Sequence, residues 1–215
     1  AALLKLGGGW VIATMERLVR ESCLALGTTD ALNARSASEM MTGFSLNLAM
    51  IGEPQTLDPM ASTADLPSLI MQHVYESLYT FDAALNPQPM LATTMPKVSA
   101  DGLTYEIEIR KGVKLHSGRD LDVEDVIASL KRWIEMTPRG KSVGTVLDKM
   151  EAKGTHGLTI KLKSPVPALV IHMALPSGYA GIMAKETVAN PLTTYSGTGP
   201  YKFQERKPDQ YVVLT

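Results

Sequence analysis

Apolar residues recur along this chain in two rhythms. Leu103, Tyr105, Ile107 and Ile109 alternate with Thr104, Glu106, Glu108 and Arg110, a period of two that predicts a strand with one buried face. Asp101-Gly102 just ahead supplies the turn chemistry for a hairpin with a short strand near residues 96–98. Leu158, Ile160 and Leu162 alternate in the same way with Thr159, Lys161 and Lys163. Phe44-Ser45-Leu46-Asn47-Leu48-Ala49-Met50 predicts another strand, broken by Gly52-Glu53-Pro54. Tyr201-Lys202-Phe203, Lys207-Pro208-Asp209 and Tyr211-Val212-Val213-Leu214 read as a closing hairpin. A one-residue slip would turn each apolar set to water, so these registers are strongly specified.

The second rhythm is helical. Val126, Ile127, Leu130, Trp133 and Ile134 form a stripe behind Asp122, an expected N-cap, with Glu124 and Asp125 in the first turn; Thr137-Pro138-Arg139-Gly140 stops it. Leu66, Leu69, Ile70, Val74, Leu78 and Phe81 make a similar stripe, predicting a helix capped by Asp65. Residues 168–175 predict a short buried helix closed by Pro176, and residues 10–26 one more helical stretch before a linker-like passage to residue 42. Two surface helices and at least four half-buried strands, without regular βαβ alternation, predict an α/β or α+β fold with mixed sheets and surface helices rather than a barrel.

Charge narrows the function classes. Among 215 residues, 21 Lys plus Arg face 22 Asp plus Glu, for a net charge of -1. Phosphate contacts need a concentrated basic face, so nucleic acid is not expected as a partner. Cys23 is the one cysteine, so no intrachain disulfide framework is expected. No apolar run approaches the ~18 residues of a membrane-spanning helix. The short apolar, Gly-rich stretch at residues 3–13 reads as a signal-segment remnant or a poorly ordered leader. The apolar strand pattern runs up to Thr215, which reads as a piece of a longer protein.

Little in the chain looks catalytic. His73, His116, His156 and His172 lack any paired ligand spacing, so no local metal site is expected. His73 reads as a satisfied helix-edge residue and His172 as a hydrogen-bonded core histidine. Gly140-Lys141-Ser142 ends like a phosphate loop, but the required earlier glycine is Glu135. Ser196-Gly197-Thr198-Gly199 reads either as a tight turn with positive φ or as a backbone surface packed closely against a ligand or hinge. Glu53 and Asp58 read as capped-turn or solvated carboxylates, and the charge runs at 149–153 and 205–207 as solvated faces or turns. No catalytic residue and no cofactor is expected.

An ordered series of motifs remains. Glu53-Pro54-Gln55-Thr56-Leu57-Asp58-Pro59 is followed by Asn86-Pro87-Gln88-Pro89-Met90-Leu91-Ala92 and Asp101-Gly102-Leu103-Thr104-Tyr105. Then come Arg110-Lys111-Gly112-Val113-Lys114-Leu115-His116-Ser117-Gly118, Asp122-Val123-Glu124-Asp125-Val126, Ser129-Leu130-Lys131-Arg132-Trp133 and Gly197-Thr198-Gly199-Pro200-Tyr201-Lys202-Phe203. Over about residues 43–215 the chain resembles the extracellular solute-binding proteins of ABC importers, in the peptide- and nickel-binding class known as bacterial solute-binding protein family 5. The resemblance implies the first lobe of a two-lobed periplasmic-binding-protein-like fold, incomplete here. Residues 43–60 and 190–215 would form its core portion and residues 61–189 a smaller inserted portion. Residues 1–42 would be leader or linker, and the second lobe would be absent. It also implies a non-enzymatic protein of the periplasm, or of the outer face of the cell membrane, that passes a small peptide-like solute to an ABC permease in the inner membrane. Ligand-binding positions implied by the resemblance are Thr63 and Asp65 after the Leu57-Asp58-Pro59 turn, Arg139 and Ser142 after the Trp133 helix, and Thr198 in support. Peptide, nickel complex, thiol peptide and sugar stay open as solutes. A hydrolase acting on peptides or glycans, or a peptide-binding chaperone or receptor module, are the alternatives.

Overall fold

The computed structural model describes residues 3–7, 45–50 and 52–215; the helical stretch and linker expected within residues 10–42, and Cys23, lie outside them. In chain order the elements are β1 (Leu3–Gly7), β2 (Ser45–Ala49), α1 (Asp65–Met71), β3 (Tyr79–Phe81), β4 (Pro87–Pro89), β5 (Lys97–Val98), β6 (Thr104–Glu108), α2 (Val123–Met136), α3 (Pro138–Val146), β7 (Leu147–Lys153), β8 (Gly157–Leu162), α4 (Leu169–Ala174), a 3₁₀ turn (Lys185–Thr187), β9 (Phe203–Lys207) and β10 (Tyr211–Leu214). They fall into two compact units, Ala1–Glu53 with Phe203–Thr215, and Pro54–Lys202. The result is an α/β architecture with open mixed sheets and surface helices, as the two rhythms predict.

In the first unit the strand order is β2-β1-β10-β9, with β1 parallel to β10 and antiparallel to β2. The closing hairpin forms as expected: β9 pairs antiparallel with β10, and Val212 and Leu214 turn into the core. Both Nε and Nη2 of Arg206 donate to one Glu53 oxygen, at 3.1 and 2.6 Å. Glu53 is therefore a paired carboxylate, not a solvated one.

The second unit is built on an antiparallel sheet of order β5-β6-β8-β7. Its register places Tyr105 opposite Ile160 and Ile107 opposite Leu158, all four buried, as the period of two requires. Helix α2 packs on β7 and β8 with Val126, Ile127, Leu130 and Trp133 buried. Asp122 caps it: its carboxylate accepts from the N–H of Glu124 and of Asp125, at 2.9 and 3.1 Å, and the Asp125 carboxylate accepts from the Asp122 N–H at 2.9 Å. This reciprocal pair satisfies donors that a helix start leaves open. Thr137 then does two jobs. Its hydroxyl donates to the Trp133 carbonyl at 2.9 Å, closing α2, and accepts from the Gly140 N–H at 2.9 Å, opening α3.

Several expectations are corrected. The stripe from Leu66 to Phe81 is not one helix: α1 ends at Met71 and residues 79–81 form β3. The His73 imidazole Nδ1 bonds to the Leu69 carbonyl at 2.9 Å, and the His73 and Val74 carbonyls accept from the N–H groups of Tyr201 and Gly199, both at 3.0 Å. Carbonyls engaged by another segment are lost to further helical bonds. Asp65 is the first helical residue, not the cap; Ala64 holds the cap position without a side-chain bond, and Asp65 adds acidic charge to the first turn. His172 Nδ1 is buried without a hydrogen-bond partner, so His172 is not a hydrogen-bonded core histidine. The run at 149–153 belongs to the edge strand β7 rather than to a turn, although its charged residues do face solvent.

Candidate functional site

Asp58, two residues beyond Thr56 in the Pro54–Pro59 loop, is 4% exposed and accepts both arms of the Arg132 guanidinium, with Nη1 2.9 Å from Oδ1 and Nη2 on Oδ2. From sequence alone it reads as a capped-turn or solvated carboxylate. It does cap the turn, accepting from the Met60 N–H at 3.0 Å, but its main partner is an arginine 74 positions along the chain. Arg132 Nε donates to the Ala189 carbonyl at 2.9 Å. The loop that leads to Thr63 is thereby fastened to the buried side of α2.

Thr63 meets the end of α2 through a third segment. Ser177 Oγ donates to the Thr63 carbonyl at 2.8 Å, and Arg139 Nη1 donates to the Ser177 carbonyl. The Trp133 indole N–H donates to the neighbouring Gly178 carbonyl at 3.0 Å. Gly178 has φ of 56°, in the left-handed region that favours glycine, and this lets the chain turn tightly over Thr137 and Arg139. Three segments, 62–65, 137–142 and 176–178, are joined in this way. Asp65 is exposed, two residues beyond Thr63, and Arg139 is half-buried. The junction therefore carries an acid and a base together with Ser and Thr hydroxyls, a set suited to a zwitterionic or peptide-like ligand.

Of the positions the resemblance nominated, the structure connects Thr63 to Arg139 through Ser177. Ser142 lies exposed on α3, one turn beyond Arg139, and its carbonyl accepts from the Thr145 hydroxyl at 2.7 Å. Thr198 stands apart from this junction. Its hydroxyl lies beside the Glu76 carboxyl, whose pKa is raised by burial against the opposing pull of that hydroxyl and of Arg110. Ser177 and Gly178 were missed; Pro176-Ser177-Gly178 is a turn signal, but nothing local says which segment it touches.

The Gly197–Tyr201 strap that carries Thr198 is held on two sides. A Cβ on Gly197 would fall 2.3 Å from the Val74 carbonyl oxygen, and one on Gly199 would fall 2.5 Å from that of His73. Both glycines lack positive φ. Close backbone packing therefore explains them, and the packing partner is the chain itself. On the other side, the His116 N–H donates to the Gly197 carbonyl at 2.9 Å, its Nε2 lies 2.8 Å from the Gly199 carbonyl, and its Nδ1 lies 3.3 Å from the Gly197 N–H. Those contacts require a neutral imidazole, with Nε2 donating and Nδ1 accepting. Burial lowers the His116 pKa, the Gly199 carbonyl opposes this, and the Lys202 charge adds to the lowering.

No group of three or more His, Cys, Asp or Glu side chains that could hold a metal ion occurs among the described residues. Comparison with known proteins gives a consistent picture. The family described as bacterial extracellular solute-binding proteins, family 5 Middle, matches residues 86–215. The oligopeptide-binding protein AppA of Bacillus subtilis (strain 168) is 29% identical over 206 residues, covering 90% of this chain and 37% of AppA. The glutathione-binding protein GsiB of Pectobacterium atrosepticum is 31% identical over 158 residues, covering 69% of this chain and 29% of GsiB. The solved structure of Bacillus subtilis AppA in complex with a nonapeptide superposes with a TM-score of 0.66 at 28% identity, covering 77% of this chain and 34% of that one. The chain thus spans less than two fifths of the length of these relatives.

Proposed function

The chain belongs to the bacterial extracellular solute-binding proteins of family 5, and from that premise we propose that it captures a small peptide-like solute outside the cytoplasm and delivers it to an ABC permease in the inner membrane. On this reading it is a binding component without catalysis, resident in the periplasm or on the outer face of the cell membrane. Residues 43–60 and 190–215 make the core portion of one lobe and residues 61–189 the smaller inserted portion. A second lobe of the same polypeptide supplies the opposite wall of a hinged cleft. The relatives' printed names support the solute class: AppA is oligopeptide-binding and GsiB glutathione-binding.

The observation that carries this reading is the Thr63–Ser177–Arg139 junction, with exposed Asp65 beside it. Arg139 meets a solute carboxylate, Asp65 an ammonium, and Thr63 and Ser142 offer polar contacts, with Thr198 in support. Because a ligand that binds only the folded state stabilises it by mass action, the test is a thermal-shift and calorimetric titration of the full polypeptide with di-, tri- and oligopeptides. A rise in the unfolding midpoint with peptide, cut by about tenfold in affinity in Arg139→Ala, supports the proposal. No shift with any peptide, with Arg139→Ala indistinguishable, refutes it.

A further inference from the structure

The outward face of the β5-β6-β8-β7 sheet carries a second candidate site. Residues directly opposite in an antiparallel ladder share a face, so the register defines rows. Lys97, Glu106, Thr159 and Glu151 form one row across the four strands. Glu108, Gly157 and Lys153 form the next. Tyr105, Ile107, Leu158 and Ile160 alternate with these and are buried, so the charged rows lie on the sheet face turned away from that core. The second row has a gap, because Gly157 puts no side chain between Glu108 and Lys153.

A cavity of about 410 Å³ occupies that gap, lined by residues that include Lys97, Glu106, Glu108, Lys111, Lys153 and Thr159. Its size lies within the roughly 300–1,000 Å³ range of small-molecule sites. The rim is fixed by backbone bonds: the Val123 N–H to the Thr155 carbonyl at 2.9 Å, the Ile109 N–H to the His156 carbonyl at 2.7 Å, and the Thr93 N–H to the Glu108 carbonyl at 2.8 Å. Thr155 Oγ1 lies 2.7 Å from His156 Nδ1 and holds that imidazole on the rim. Lys153 pairs with Glu106 at 3.2 Å. Among the described residues, Lys97, Lys111 and Glu108 form no ion pair.

We propose that this cavity binds a small zwitterion, an amino acid or dipeptide, with its ammonium on Glu108 and its carboxylate between Lys97 and Lys111. One acid and two bases left unpaired around a gap of this size match a ligand that carries both charges. A simple anion would meet Glu108, and a simple cation would meet the lysines. The groups are solvent-exposed, so screening keeps each contact weak and the affinity lies in the millimolar range. The site stands independently of the solute junction at Thr63 and Arg139.

The test is an NMR titration of the isotope-labelled protein with glycylglycine, alongside N-acetylglycine, which lacks the ammonium, and glycinamide, which lacks the carboxylate. Glycylglycine shifts the amides of Glu108, Gly157 and Thr159 saturably, and the two blocked compounds do so much less. Glu108→Gln weakens the effect about threefold to fivefold, as does the Lys97→Ala, Lys111→Ala double variant, while Lys149→Ala on the same strand face but outside the cavity leaves it unchanged. Shifts at Ser177 and Gly178 report the other site and persist in Glu108→Gln, which separates failure of one from failure of the other. No shift at the cavity amides, equal shifts with the blocked compounds, or equal affinity in the Glu108 variant overturns the proposal.

Discussion

Replacing Arg132 by Met tests whether the buried ion pair holds the Pro54–Thr63 loop. Asp58 and Arg132 are each 4% exposed, joined by two parallel hydrogen bonds. Methionine keeps comparable length but no donor, so the Asp58 carboxylate stays buried with only the Met60 N–H, 3.0 Å away. Removing one partner of a buried pair costs about 3–5 kcal/mol. The Ala189 carbonyl also loses its Arg132 donor, but Ala189 is exposed and water replaces that bond, so it adds little. At about 2–4 °C per kcal/mol for a chain of this size, the midpoint followed by circular dichroism falls by roughly 6–20 °C. Asp58→Leu combined with Arg132→Met recovers most of the loss, since an apolar replacement avoids the stranded charge. The Met60 N–H still lacks an acceptor, which leaves a deficit of about 1 kcal/mol or more. A fall below about 3 °C in the single variant, or a double variant no better than the single, refutes the reasoning.

Three further outcomes follow from the fold. Asp122→Ala removes the cap of α2 and lowers the free energy of unfolding by about 0.5–2 kcal/mol in urea titration; an unchanged midpoint contradicts the reciprocal cap. The His116 pKa lies below its ordinary value near 6.5, so its contribution to stability is present above that pH and is lost as pH falls through the folded pKa. Glu76, raised by burial, works in the opposite sense, because its protonated form is favoured in the fold and its destabilising effect lessens on acidification from neutral pH. Stability measured between neutral and mildly acidic pH therefore falls less steeply in His116→Asn than in the parent protein; equal slopes count against the neutral clasp. Gly199→Ala forces a methyl group onto the His73 carbonyl and destabilises by about 1–3 kcal/mol or more, read by thermal unfolding.

What the sequence disclosed depends on range. The cap and stripe of α2, the alternation in β6 and β8, and the β9–β10 hairpin rest on neighbours within a few residues, and they formed as expected. The Asp58–Arg132 pair spans 74 positions and the Ser177–Thr63 bond 114, and no local rhythm encodes either. The stripe after Met71 misled because burial has two causes. Val74 is buried where the chain turns beneath the 197–201 strap, and Leu78 where its carbonyl accepts from the Met90 and Ala92 N–H groups, at spacings that also fit a helix. Strand β7 lacked alternation because an edge strand with charged residues on its open side has little apolar surface to display. Helix α3 was hidden by two glycines in nine residues and by a proline that ends one helix while starting the next. For the candidate site, motif resemblance pointed to Thr63 and Arg139. The serine and glycine that join them became visible only in three dimensions.

The indole of Trp133 has a practical consequence. The chain has two tryptophans, and the other, Trp10, is remote in sequence and can be changed to phenylalanine. What remains is a single indole, excited selectively at wavelengths beyond tyrosine absorption, 1% exposed and bonded to the carbonyl next to Ser177. Its emission then serves as a label-free optical gauge, reporting any shift of the 176–178 turn when peptides are added.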